Sequence, residues 1–195
     1  MADVKSIFLA GVGGQGTILA SKILTQGLLS NGFDVKMSEI HGMSQRGGSV
    51  SAQVRYGRKV YSPIISEGEA DILVSFEEME TYRWLRFLKP QGKVILNDYR
   101  LLSAPILSGQ SDYPEGLKEE IRQKTDAVII NAADIALQMG VPKAMNIIML
   151  GASIKAVGLD SIDWARMISE NVRPQFLDSS LAALRKGMTL FGTVQ

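Results

Sequence analysis

Ile7-Phe8-Leu9-Ala10-Gly11-Val12-Gly13-Gly14-Gln15-Gly16 is an apolar run that ends in a glycine-rich turn. The segment after it is apolar enough to continue as a helix. Glycines at 11, 13 and 16 fit the G-x-G-x-x-G spacing that brings a backbone against a pyrophosphate. Gly11 permits a tight exit from the strand, Gly13 removes a Cβ that would bar a ligand, and Gly16 lets the helix sit close to the strand. A helix beginning there presents unpaired N–H groups and a partial positive charge to an anion. The competing reading is a strand–turn–helix that binds nothing, because the same spacing also occurs in empty turns.

Outward from that turn the chain alternates strand and helix. The first helix is expected from Gln15 to Ser30, stopped by Asn31-Gly32, and a second strand from Asp34 to Ile40. In place of a second helix comes the glycine-rich loop His41-Gly42-Met43-Ser44-Gln45-Arg46-Gly47-Gly48. Val50, Ala52, Val54 and Tyr56 then alternate with polar residues, the period of a half-buried strand. Gly57-Arg58 reads as a hairpin turn, with Lys59 to Ser62 returning. The α/β rhythm resumes with a strand at Asp71 to Phe76, a helix at Glu77 to Leu88 and a strand at Lys93 to Asn97. An irregular stretch at Ser103 to Tyr113, a charged helix at Glu115 to Lys124 and a last strand at Ala127 to Asn131 follow. Beyond these, stripes at Trp164, Met167, Ile168 and Val172, and at Leu177, Leu181, Leu184, Met188 and Phe191, predict buried helix faces. The expected fold is α/β: a Rossmann-like three-layer arrangement, mostly parallel, with an inserted antiparallel hairpin and a helical C-terminal tail. A length of 195 residues favours one domain over 1–195.

Composition excludes several function classes. With 21 basic against 20 acidic residues the net charge is +1, so no global attraction for nucleic acid or an anionic membrane exists and any anion site is local. No cysteine is present, which removes disulfides and thiolate-held zinc or iron–sulfur clusters. The run Ser6 to Val12 is too short for a secretory signal, and Ala144 to Val157 too polar and short to span a membrane. A cytoplasmic protein with a buried helix at Ala144 to Val157 is expected.

In open α/β sheets, ligands bind beyond the carboxyl ends of the strands. Both glycine loops fall at such ends and converge if the first two strands are adjacent. Arg46 would supply a forked cation there, with Ser44 and Gln45 as donors and Gly47-Gly48 freeing backbone N–H groups. Against this, Arg46 could pair with Glu39 and merely pin the loop. Glu39, 23 residues beyond Gly16, could hold ribose hydroxyls in a dinucleotide site, or simply brace the loop after it. His41, the single histidine, could bind a substrate carboxylate or act as an acid or base, or be structural. Asp71 and Glu77-Glu78-Met79-Glu80 invite a metal reading, but acids at a helix start already oppose the macrodipole. Asn146, an amide in an apolar segment, needs a partner and is expected to bridge a loop near the crevice or meet another subunit. No residue presents itself as a covalent catalyst.

Gly11 to Gly16, Ser38 to Gly48 and Asn146 to Gly151 together resemble the gamma-type domain of 2-oxoacid:ferredoxin oxidoreductases, over essentially the whole chain. The form His41-Gly42-Met43-Ser44-Gln45-Arg46-Gly47-Gly48 is most similar to the small beta subunits of the indolepyruvate enzymes. The resemblance implies a chain that holds no cofactor tightly. Thiamine diphosphate, Mg2+ and [4Fe–4S] clusters would sit on a large alpha subunit, with ferredoxin as electron acceptor and coenzyme A as co-substrate. It implies a share in the cleft where an arylpyruvate becomes an aryl-acetyl-CoA, with Gly13, Gly14, Gln15, Gly16, His41, Ser44, Gln45, Arg46, Gly47 and Gly48 as candidates for coenzyme A or substrate binding. Glu39 and Asn146 are secondary candidates. Self-association is open, as are the alternatives of a gamma subunit for another 2-oxoacid, a stand-alone NAD- or flavin-dependent oxidoreductase, and a structural or nucleotide-sensing module. The subunit reading expects a partner-covered apolar surface, for which Met145 to Leu150 and the Tyr82/Trp84/Phe87 face are the candidates.

Overall fold

A computed structural model describes residues 4–42 and 47–191. Strands β1 (Lys5–Val12), β2 (Asp34–His41), β3 (Ser49–Gly57), β4 (Ala70–Ser75), β5 (Leu88–Asn97) and β6 (Asp126–Ile130) form one sheet in the order β2-β3-β1-β4-β5-β6. β1, β4, β5 and β6 pair in parallel. β3 runs against both of its neighbours, β1 and β2. The central strands are buried on both faces, as parallel strands between helical layers must be. Ile7 and Leu9 of β1 enter one core while Phe8 and Ala10 enter the other, following the period of two.

On the first face pack α1 (Thr17–Ser30), α5 (Ala132–Gln138), α6 (Met145–Ala156), α7 (Trp164–Ser169) and α8 (Leu177–Leu190). On the second face lie α2 (Glu78–Trp84) and α4 (Leu117–Lys124), with Trp84 and Phe87 tilted against Phe8 at centroid distances of 5.0 Å each. A single turn of helix, α3 (Ala104–Leu107), interrupts the stretch expected to be irregular. The expected three-layer α/β class is the observed one. Among the described residues no helix is long and apolar enough to cross a membrane.

Two expectations change. The hairpin is formed by β2 and β3, from Asp34 opposite Gly57 to His41 opposite Val50, and no strand returns at Lys59 to Ser62. Both edges of β3 are already occupied, so a returning strand would have nothing to pair with. Instead the Val60 N–H donates to the Asp34 carboxylate at 2.9 Å, and the buried Val60 side chain pins the segment to the start of β2. The first two strands are also not adjacent, because β3 lies between them. The apolar surfaces expected to await a partner are mostly core. Asn146 through Leu150 are buried in α6, and Trp84 and Phe87 pack on Phe8, leaving only Tyr82 of that face exposed.

Candidate functional site

The register of β3 brings the two glycine loops together although their strands are separated. Val12, the last residue of β1, stands opposite Ser49, and His41, the last of β2, opposite Val50. The N–H of Gly13 donates to the carbonyl of Gly48 at 2.8 Å and clasps the loops directly. Met43, Ser44, Gln45 and Arg46 lie outside the described residues.

The first loop is held from below by side-chain amides. Gln15 accepts from the Val12 N–H at 2.7 Å and donates to the Phe76 carbonyl at 3.0 Å. Asn97, fully buried, donates to that same carbonyl at 3.1 Å and accepts from the Ala132 N–H at 3.0 Å. Two amides thus tie together the ends of β1, β4 and β5 and the start of α5. Gly11 is glycine for a packing reason: a Cβ there would come 2.6 Å from the Thr17 hydroxyl and 2.9 Å from the Gln15 amide oxygen. Gly16 has φ +84° and would drive a Cβ 2.5 Å from Asn146 Nδ2, the amide that donates to the Gly16 carbonyl at 3.4 Å. Asn146 therefore bridges to the loop, as its position in an apolar helix required.

Gly14 is the open point. Its φ is +99° and a Cβ would meet nothing within 4 Å, so its backbone faces free space. Gly13 and Gly14 are a wall shared by two clefts. The first, about 390 Å³, continues along Gly16, Thr17 and Ile18 to His41, Gly42 and Val50. It contains the α1 N-terminus, where Gly16 offers no capping side chain and first-turn N–H groups lack an intrahelical acceptor. The second, about 720 Å³, runs from Gln15 and Gly47 across Tyr99, Leu101 and Ala104 to Asp134 and Met145, with exposed Leu102, Leu107 and Leu137 adding apolar surface. A helix N-terminus with free N–H groups beside an apolar trough suits a ligand that is phosphorylated at one end and apolar along its length.

Of the sequence candidates, Gly13, Gly14, Gly16, His41 and Gly47 line these clefts, and Gln15 lines the second. Both functions of the Gln15 amide are engaged in shaping the loop, and Gly48 contributes its carbonyl to the clasp. Glu39 lines neither cleft. It accepts a hydrogen bond from Ser21 on α1 at 2.9 Å, and β3 separates its strand from β1. A ribose-binding acid needs a neighbouring strand, so this arrangement disfavours a dinucleotide site.

The acidic run at the start of α2 has a role that helix-dipole reasoning caught only in part. Glu77 does cap the helix, accepting from the Glu80 N–H at 2.9 Å. Yet Glu77, Glu78 and Glu80 are all buried. Glu77 also accepts from the Tyr113 hydroxyl at 2.6 Å and the Leu101 N–H at 3.3 Å. Glu78 takes both Nε and Nη2 of Arg100, at 2.7 and 3.2 Å, and Arg100 lies over the Tyr113 ring. Glu80 accepts from Ser49 and from Trp84 Nε1. These carboxylates fix residues 99–101, one wall of the larger cleft, and the start of β3. Burial raises the Glu77 pKa above the ordinary range, against the lowering effect of its hydrogen bonds from Tyr113, Glu80 and Leu101. Burial also raises the Tyr113 hydroxyl, assisted by Glu77. The acidic start of the helix was visible in the sequence; that Tyr113 and Arg100 would close on it was not. Asp71 accepts from the Ser6 N–H at 2.8 Å and pairs with Lys89 at 2.8 Å. Among the described residues no group of three His, Cys, Asp or Glu side chains could hold a metal.

A family model described as pyruvate ferredoxin/flavodoxin oxidoreductase matches residues 6–190. Among curated proteins, an indolepyruvate oxidoreductase subunit IorB from Archaeoglobus fulgidus is 36% identical, covering 93% of this chain and 92% of that protein. Among solved structures, the gamma subunit of a keto/oxoacid ferredoxin oxidoreductase from Geobacter sulfurreducens superposes with a TM-score of 0.71 at 20% identity, covering 96% of this chain and 98% of that one. A 2-oxoglutarate:ferredoxin oxidoreductase from Magnetococcus marinus, solved with 2-oxoglutarate, coenzyme A and succinyl-CoA, gives a TM-score of 0.74 at 19% identity. That match covers 98% of this chain and 32% of the longer one. At those identities the two structures establish the shared fold.

Proposed function

This chain belongs to the pyruvate ferredoxin/flavodoxin oxidoreductase family, and we propose that it is the small subunit of an indolepyruvate:ferredoxin oxidoreductase. The observation that carries the proposal is the 36% identity to an indolepyruvate oxidoreductase subunit along nearly the full length of both chains. In this reading the subunit completes the cleft where an arylpyruvate is oxidatively decarboxylated to an aryl-acetyl-CoA, with electrons passed to ferredoxin.

Thiamine diphosphate on the large alpha subunit supplies the decarboxylation chemistry, with Mg2+ and [4Fe–4S] clusters alongside it. The donor set here does not fit an iron–sulfur cluster, since the chain has no cysteine, and no step is assigned to one. What these residues do is bind and orient. Gly13 and Gly14 let the coenzyme A phosphates approach the backbone, and the α1 N-terminus offers its free N–H groups to them. Arg46, between His41 and Gly47 in the sequence, is the cation assigned to those phosphates. The apolar trough along Leu101, Leu102 and Leu107 accepts the less polar part of the ligand. His41 lines the first cleft, and no residue of this chain is assigned a covalent role.

Reconstitution tests the reading. Arylpyruvate- and coenzyme A-dependent dye reduction by the large alpha subunit is measured with and without this chain, with pyruvate and 2-oxoglutarate as comparison substrates, and again with Arg46→Ala. Activity that requires the chain, prefers the arylpyruvate and falls in Arg46→Ala is expected. An alpha subunit indifferent to this chain would sink the subunit role. Full activity in Arg46→Ala would remove the second loop from the cleft.

A further inference from the structure

Between β5 and α4 the chain makes an excursion whose two ends are held at one point. The Leu101 N–H and the Tyr113 hydroxyl donate to the same carboxylate oxygen, Glu77 Oε1, at 3.3 and 2.6 Å. Glu78 reinforces this neck. Its N–H donates to the Tyr99 carbonyl at 3.0 Å, and its carboxylate takes Arg100, which lies over the Tyr113 ring. A surface loop closed at its base in this way is an Ω-loop, a form often given to function.

Beyond the neck the loop is tied only to itself among the described residues. The hydrogen bonds of residues 102–112 all stay inside it: the N–H groups of Leu107, Ser108, Gly109 and Gln110 donate to carbonyls of residues 103–106. Leu102, Ile106 and Leu107 belong to neither core. A segment fixed at its base, with few buried apolar contacts, opens and closes at low cost. This loop is also one side of the larger cleft, through Leu102 and Leu107, while Leu137 of α5 and Met145 of α6 belong to another. Leu107 is 70% exposed, Leu137 64% and Leu102 43%. Leucines on two walls of one cleft leave water only when the walls approach or a ligand fills the space between them.

We propose that residues 102–112 form a lid over the larger cleft, which swings about the Glu77 neck and closes Leu102 and Leu107 onto a bound ligand. The proposal rests on the reading that this cleft takes coenzyme A. The lid covers the less polar arm of that ligand, while its phosphates stay at Gly13, Gly14 and the α1 N-terminus. With the cleft empty the lid stands open and entry is free. With the arm in place, closure shields it from water and slows its departure, so the lid acts chiefly on the dissociation rate.

The chain has no cysteine, so two introduced ones can carry spin labels: Gln110→Cys on the lid and Gln138→Cys at the end of α5, both exposed and outside the cleft lining. The labelled chain is assembled with the large alpha subunit, and the distance between the labels is measured by pulsed electron resonance before and after addition of coenzyme A. A shorter and narrower distribution on binding is expected. In Leu107→Ser the shortening should be lost and coenzyme A should leave roughly tenfold faster in stopped flow, the scale of one leucine's burial. Calorimetry on the same complex reports binding separately. Binding without a change of distance would overturn the lid and leave coenzyme A in the cleft. Absence of binding would overturn the coenzyme A reading, and the lid with it. Distances that shorten on adding the alpha subunit and then ignore coenzyme A would make the leucines a subunit contact, and shortening and release untouched by Leu107→Ser would take closure away from them. Either result would overturn the proposal.

Discussion

Gly14 carries the least ambiguous residue-scale test of the glycine loop. It shares a left-handed backbone and an empty Cβ position with Gly32, which follows α1 at the far end of that helix. Alanine at either position pays the same kind of strain, roughly 1–2 kcal/mol. Urea unfolding should therefore show similar losses for Gly14→Ala and Gly32→Ala. Only Gly14→Ala places a methyl in the cleft, so coenzyme A affinity, read by calorimetry, should fall about tenfold or more there, since about 1.4 kcal/mol of lost contact is a tenfold change. Equal affinities would mean that the ligand does not approach this backbone. The sequence announced the loop through its spacing, and it announced Asn146 as an amide that needed a partner. It did not announce Gln15 and Asn97 as the amides that shape the loop, because their partners are backbone carbonyls and N–H groups brought close only by strand order.

Among the elements, α6 and α8 make the closest contact in the molecule's helical layer, and two glycines set the distance. A Cβ on Gly187 would lie 2.0 Å from the Ile148 carbonyl oxygen, and one on Gly151 2.3 Å from that of Leu184. Backbone touches backbone, so no side-chain rotation can relieve an added methyl. Gly187→Ala is expected to push the helices apart and cost about 1–3 kcal/mol or more in chemical unfolding, although alanine is intrinsically the better helix former. A neutral or stabilising result would show that the helices separate freely. Periodicity made α7 and α8 legible, because Trp164, Met167 and Ile168 on α7 and Leu184 on α8 fall on the predicted stripes and are buried. The misplaced hairpin has the opposite lesson. Alternation from Val50 to Tyr56 identifies a strand but not its partner, and Gly57-Arg58 looks like a turn whether or not a strand follows. The pairing was decided by which edges β1 and β2 left open, a property of the assembled sheet.

For the whole molecule, stability against pH is governed by carboxylates of opposite tendency. Burial alone would raise Asp71, but the hydrogen bonds from Lys89 and the Ser6 N–H, with the charges of Lys89 and Lys5, hold it below the ordinary value of 3.8. A carboxylate lowered on folding contributes stability that is present above its unfolded pKa and lost as pH falls through its folded one. Wild type should therefore be more stable than Asp71→Asn above about pH 4, and the gap should close as acidification proceeds below the ordinary aspartate range. Glu77 behaves in the other sense. Its pKa is raised, chiefly by burial, so its contribution is complete below 4.5 and disappears as pH rises through its folded value. Glu77→Gln removes that slope, and its stability curve above pH 4.5 should be flatter than that of wild type, whatever the offset from the changed cap at the Glu80 N–H. Urea midpoints across acid and neutral pH for the three proteins read both effects. A wild-type gap over Asp71→Asn that persists at the acid limit would mean that Lys89 and Ser6 do not hold the charged form. An unchanged slope in Glu77→Gln would show that the carboxylate joining α2, Tyr113 and Leu101 titrates as if it were in water, and would remove the basis for regarding that cluster as a rigid wall of the larger cleft.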